Sequence, residues 1–120
     1  MELDWIREYC LSLPHATEQV QWEDDLVFKI GGKMFAVAPL EHVRLWLSFK
    51  CSLGEFGELI EKPGIIPAPY LARANWVALE SPDALSRAEI KRLLRQSYDL
   101  VFAKLPKKTQ AKLWSARQRS

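Results

Sequence analysis

Cysteine and histidine are scarce in this sequence, with two residues of each. Cys10 and Cys51 are the only cysteines and form no C-x-x-C pair, which excludes a disulfide-stapled miniprotein. Cys10, His15, His42 and Cys51 are four conceivable zinc ligands, but none has the short paired spacing that pre-arranges a metal site. Buried cysteines and surface histidines are the plainer reading. Neither histidine lies in an H-E-x-x-H, nucleophile-elbow or kinase-like setting. With no catalytic constellation to start from, no enzymatic activity, metal or cofactor is expected. No stretch approaches the roughly 20 apolar residues of a membrane span. The opening Met1-Glu2-Leu3-Asp4 lacks the basic and apolar regions of a secretory signal. These absences lead to the expectation of a soluble, reduced, cytosolic protein.

What is present suits one globular domain spanning residues 1–120. Hydrophobic residues make up 48% and charged residues 27%, too apolar for a disordered chain and without the repeats of a rod. The 17 basic and 15 acidic residues nearly cancel, yet they are unevenly placed. From Arg87 onward stand 10 basic and two acidic side chains, while the first 86 residues hold 7 and 13. That split fits an acidic body with a basic nucleic-acid face, or a basic helix packed beside its own acidic half.

The periodicity predicts a first amphipathic helix from Leu3, Ile6, Cys10 and Leu13, stopped by Pro14. A polar loop runs on to Asp25, and its Glu23-Asp24-Asp25 cluster lacks the alternating oxygen pattern of a calcium loop. Two β-prone runs, 26–30 and 34–38, flank Gly31-Gly32-Lys33, as in a hairpin whose tight turn needs glycine. The same Gly-Gly-Lys lacks the spacing and following helix of a phosphate-cradling loop. Residues 44–50 read as a third strand, 53–60 as a short helix, and 75–80 as a fourth main strand. The prolines at 63, 67 and 69 make that segment an extended loop, since they remove backbone donors. Ser86-x-x-Glu89 is a capping box opening a long helix, with Ile90, Leu93, Leu94, Ser97, Val101 and Leu105 on one stripe. The basic tail 107–120 leaves room for a short helix around Leu113 and Trp114. This order predicts an α+β fold: an antiparallel β-sheet with the N- and C-terminal helices packed on one face. The other face is left open to water or a ligand.

In the strand at 44–50, period-2 geometry puts Leu45, Leu47 and Phe49 on the core side. Arg44, Trp46, Ser48 and Lys50 then share the opposite face, where cations interleaved with an aromatic suit phosphate neutralisation and base stacking. Trp76 extends that face if its register allows. The alternative is a half-covered face with Trp46 packed under the proline-rich loop.

Several strings resemble one family in the right order. Leu11-Ser12-Leu13-Pro14, Gly31-Gly32-Lys33-Met34-Phe35-Ala36 and Leu47-Ser48-Phe49-Lys50-Cys51 resemble the first-helix stop, hairpin and lysine-ended strand of the MmcQ/YjbR family of small bacterial proteins. The stretch from Pro69 to Trp76 is similar to that family's proline-led "hlNKxHW" segment, and Ser97-Tyr98-Asp99-Leu100-Val101 to its C-terminal helix signature. The resemblance implies a CyaY/frataxin-like fold, a "double-wing" arrangement, and DNA binding. Arg73 stands in place of the family's usual lysine, and Ala72 and Asn75 where it tends to carry Asn and His.

The expected function is therefore non-enzymatic DNA binding. Lys50 and Arg73 would contact phosphates, Lys33 and Arg44 would lie at the edge of the footprint, and Asn75, Trp46 and Trp76 would complete the surface. No segment reads as a base-reading recognition helix, so contacts would be mostly to the backbone. One alternative is a protein–protein adaptor using the basic C-terminal helix and Trp114. Another is a small-ligand or metal-binding module of frataxin-like fold, for which the first helix offers only Glu2, Asp4 and Glu8.

Overall fold

Gly31 and Gly32 adopt φ of 59° and 83°, closing a two-residue turn between paired Ile30 and Lys33. This is the left-handed geometry that matches the right-handed twist of the strands it joins. The structure, a computed structural model, describes the backbone of residues 2–22, 24–41, 45–69 and 71–119, with side chains from Leu3 to Leu113 among them. The elements run α1 (Glu2–Ser12), β1 (Thr17–Gln21), β2 (Asp25–Ile30), β3 (Lys33–Pro39), β4 (Leu47–Lys50), α2 (Leu53–Leu59), β5 (Ile65–Pro67), β6 (Trp76–Leu79), α3 (Arg87–Ala103) and α4 (Lys107–Arg119). Short 3-10 turns at Ala72–Ala74 and Pro82–Ala84 flank β6.

The six strands form one antiparallel sheet in the order β1-β2-β3-β4-β6-β5. The α+β architecture is the one expected, with two strands added at the edges. The segment predicted as a polar loop contains β1, an edge strand that the sequence hides because its residues are mostly polar and carry no apolar alternation. The proline-rich segment likewise contributes β5, an edge strand paired with β6. At an edge, the donor that Pro67 lacks faces away from the ladder, so proline is tolerated there.

Helices cover one face. Ile6 and Cys10 of α1 and Ile90, Leu93, Leu94 and Tyr98 of α3 pack on Phe28, Phe35, Leu47, Phe49, Val77 and Leu79. Each such aliphatic or aromatic side chain contributes roughly 1.5–3 kcal/mol on burial. Tyr98 fits this apolar layer because its ring meets Phe35 edge-on at 5.6 Å while its hydroxyl donates to the Pro14 carbonyl at 2.7 Å. Ser86 caps α3, accepting from the Glu89 amide at 3.2 Å. The Glu89 carboxylate accepts from Arg92 instead of reaching back as a full capping box would. Its reach is better satisfied by a charged donor one helical turn on.

α4 is longer than the short helix expected. The amide of Gln110 donates to the carbonyls of Ala103 and Leu105, satisfying the end of α3 and setting the corner between the two helices. That corner meets the β2–β3 turn, because Leu105 fills the space where a Gly31 side chain would stand, at 2.6 Å.

Candidate anion-binding site

The open face of the sheet is not bare. The chain after β5 folds back over it, and Ala68, Trp76 and Ala78 form a small second core with Met34, Val37 and Leu71 beside it. An apolar groove of about 530 Å³ continues this layer, with Trp22 and Asp25 at its rim. Trp22 is 62% exposed at φ 50°, and burial, followed by the neighbouring Asp24, pushes the Asp25 carboxyl above its ordinary range.

The predicted aromatic surface is rearranged. β4 begins only at Leu47, and the alternation breaks ahead of it: Leu45 packs with the second core, whereas Trp46 turns to the helix side. There Trp46 is 6% exposed with its ring 6.3 Å from that of Trp5. The expectation of Trp46 on the open face is thus corrected, because a large apolar ring gains more from the helix-covered core than from a wet sheet surface. The tryptophan beneath the proline-rich loop is Trp76, 4% exposed. Neither ring presents a face on which a base can stack. Arg44, like Glu23 and His42, lies outside the described residues, as does the side chain of Trp114.

The cations fare differently. Lys33 at the start of β3, Lys50 at the end of β4 and Lys104 at the C-terminus of α3 line one cleft of about 250 Å³. Its remaining lining is Met34, Trp76 and Val101. Lys104 is absent from the predicted site. Its signal, a lysine two residues before Pro106, reads only as a helix end until the sheet brings that end to the hairpin.

Lys50 is the most constrained of the three. Its ammonium donates to the Ala74 carbonyl at 2.7 Å, using one of three N–H donors. Burial first, then the charge of Lys104, holds it below the ordinary lysine value. Among the described residues, the ion pairs engage Arg7, Arg92 and Arg95, and no carboxylate pairs with Lys33, Lys50 or Lys104. An uncompensated cluster of ammonium groups over an apolar floor attracts an oxyanion.

Two other predicted residues flank this cleft. Arg73 is exposed in the turn that supplies the Ala74 carbonyl. Asn75 sits at φ 63°, a left-handed position that asparagine tolerates better than most residues. Its carbonyl accepts from the Cys51 amide at 2.9 Å and the Cys51 thiol at 3.2 Å. The visible work of Asn75 is therefore to shape the turn behind Lys50. Cys10 and Cys51 are buried, and the described residues contain no group of three His, Cys, Asp or Glu able to hold a metal ion. Among them, no helix is long and apolar enough to cross a membrane.

A family model described as YjbR matches residues 11–100, three quarters of the chain. None of the curated proteins matches. Among solved structures, the chain is similar to a Deinococcus radiodurans protein described with the DUF419 domain, at 29% identity and a TM-score of 0.80. That alignment covers 92% of this chain and 86% of the other. A Pseudomonas syringae protein, 24% identical, shares the fold over 83% of this chain and 98% of its own, with a TM-score of 0.68. On the span of that family match and the shared fold, the chain belongs to the YjbR family.

Proposed function

We propose that this protein binds nucleic acid without catalysis, gripping phosphates in the cleft formed by Lys33, Lys50 and Lys104. The observation that carries the reading is the convergence of three lysines from three separate elements with, among the described residues, no ion-pairing carboxylate. Arg73 is exposed in the turn beside Lys50, and α4, which follows Lys104 in the chain, carries the exposed Lys107, Lys108 and Lys112 as further candidates for phosphate contact. Among the described residues, the lining is three lysines with Met34, Trp76 and Val101, a set suited to holding an anion. Binding through phosphates is sequence-tolerant, in keeping with the burial of both candidate stacking rings.

Fluorescence anisotropy of a labelled random duplex, and of one of its strands, between about 50 and 300 mM salt tests the reading. Binding should weaken linearly in log affinity against log salt. On duplex, each lysine replaced by glutamine should flatten the slope by about 0.9. Absence of binding at the lowest salt, or an unchanged slope in Lys50→Gln and Lys104→Gln, would overturn it.

A further inference from the structure

A run of cations along a flat surface suits the regularly spaced phosphodiesters of a duplex. The cleft between β3, β4 and α3 is different: three lysines from three separate elements line one small, shallow concavity. We infer that the ligand of this cleft is a terminal phosphomonoester, such as the phosphorylated end of a nucleic-acid strand, and not a phosphodiester inside the chain. The inference rests on the phosphate-binding reading of the same site.

Charge favours the monoester. About 250 Å³ lies below the roughly 300–1,000 Å³ of sites that enclose drug-sized ligands, but it accommodates a phosphate and part of its sugar. Met34, Trp76 and Val101 supply the apolar part of the lining beside the three lysines. A diester brings one negative charge, whereas a monoester brings about 1.5 to 2 at neutral pH and three free oxygens. The cleft holds three ammonium groups, two of which raise each other's energy across the Lys50–Lys104 gap. A ligand of higher charge offsets more of that repulsion. Lys50 is also pre-positioned: its bond to the Ala74 carbonyl fixes the ammonium and leaves two N–H donors for the ligand. Because Trp76 is buried, its ring closes the floor of the cleft and reads no base.

The test is a competition. A labelled 5′-phosphorylated single strand of about 20 nucleotides is bound by the full chain at low salt, where such contacts are strongest. It is then displaced by the unlabelled strand with a 5′-phosphate, by the same strand with a 5′-hydroxyl, and by a nucleoside 5′-monophosphate. One added phosphate barely changes the total charge of such a strand, so a purely electrostatic surface would treat both strands alike. The expected result is competition at least about tenfold better by the phosphorylated strand. That preference should disappear in Lys50→Gln and in the exposed Lys104→Gln, the second guarding against a folding defect in the first.

A monophosphate that competes as well as the phosphorylated strand would also support the monoester assignment and make the ligand a free small phosphate. Equal competition by the two strands, with the salt dependence intact, would overturn the inference and leave nucleic-acid binding standing. Failure of every strand to bind would overturn both.

Discussion

Ser97 joins α3 to Lys50 through a single hydroxyl. The Lys50 amide donates to it at 3.0 Å, and the hydroxyl donates in turn to the Phe35 carbonyl at 2.6 Å. The β3–β4 ladder ends at Ala36 paired with Phe49, and the next residues along, Phe35 and Lys50, are the two that Ser97 bridges. A side chain from the helix thus completes a rung that the strands leave open, and it fixes the backbone from which the cleft lysine projects.

Ser97→Ala should therefore cost about 2–3 kcal/mol, since it strands one buried donor and one buried acceptor. Urea unfolding checks this against Ser86→Ala, where an exposed helix cap is worth about 1 kcal/mol. A loss no larger than that control would show that water replaces the hydroxyl. At temperatures where the variant stays folded, phosphate binding should also weaken, because Lys50 loses its anchor.

Gly31→Ala should destabilise more than Gly32→Ala. Both positions have positive φ, which costs an alanine about 1–2 kcal/mol. A side chain at 31 would in addition meet Leu105 at 2.6 Å, whereas nothing lies within 4 Å of one at 32. Thermal denaturation of the two variants, side by side, gives the comparison. The Leu105 side chain, whose Cδ1 is the nearest atom, would have to shift to admit a side chain at 31.

Trp46→Ala should cost about 3–5 kcal/mol, as expected for removing a core aromatic. Trp22→Ala, at a largely exposed ring, should change stability by no more than about 0.5 kcal/mol. Chemical denaturation separates the two. If Trp46→Ala were as mild as Trp22→Ala, the placement of Trp46 among the core residues would be wrong.

Burial raises both thiols from an ordinary value of 9.0, Cys51 to about 11 and Cys10 to about 12. The unfolded chain ionises these groups first, so it binds fewer protons than the native one between about pH 9 and 11, and stability falls as pH rises through that window. Cys51→Ala should remove its share of the slope in denaturation measured across that range. In the native protein at neutral pH, alkylation of either cysteine should be slow and should accelerate on unfolding.

The acid limb has the opposite sign. The hydrogen bond from Arg7 holds Glu18 below its ordinary 4.5, and Arg92 does the same for Glu89. Their contributions are present above about pH 4.5 and are lost as pH falls through the depressed values. The Arg7→Gln variant should show a flatter acid limb in melting temperature against pH. Both pairs are exposed, so added salt should shrink the difference.

Much of the fold was legible in the sequence because local physics decides it. Apolar spacing marked α1 and α3, Ser86 marked the start of α3, and Gly31-Gly32 marked the hairpin, each through chemistry confined to a few neighbouring residues. The edge strands were not legible. β1 has no apolar alternation to announce it, and the pairing that makes Ile65–Pro67 a strand comes from β6, a distant partner. Trp46 shows the same limit within four residues: period-2 reasoning assigned it to the open face, and the breadth of the helix-side core drew it to the other.

The candidate site divides along the same line. Composition and patterning determined an α+β domain with a lysine ending a central strand and cations gathered toward the C-terminus. Tertiary structure decided which of those cations act together. Lys33, Lys50 and Lys104 are separated by long stretches of chain, and only the packing of α3 across β3 and β4, with Leu105 against Gly31 and Ser97 between Phe35 and Lys50, brings them to one cleft. The physical reason is range: propensity and periodicity act over a few residues, whereas electrostatic convergence depends on which distant surfaces the hydrophobic core presses together.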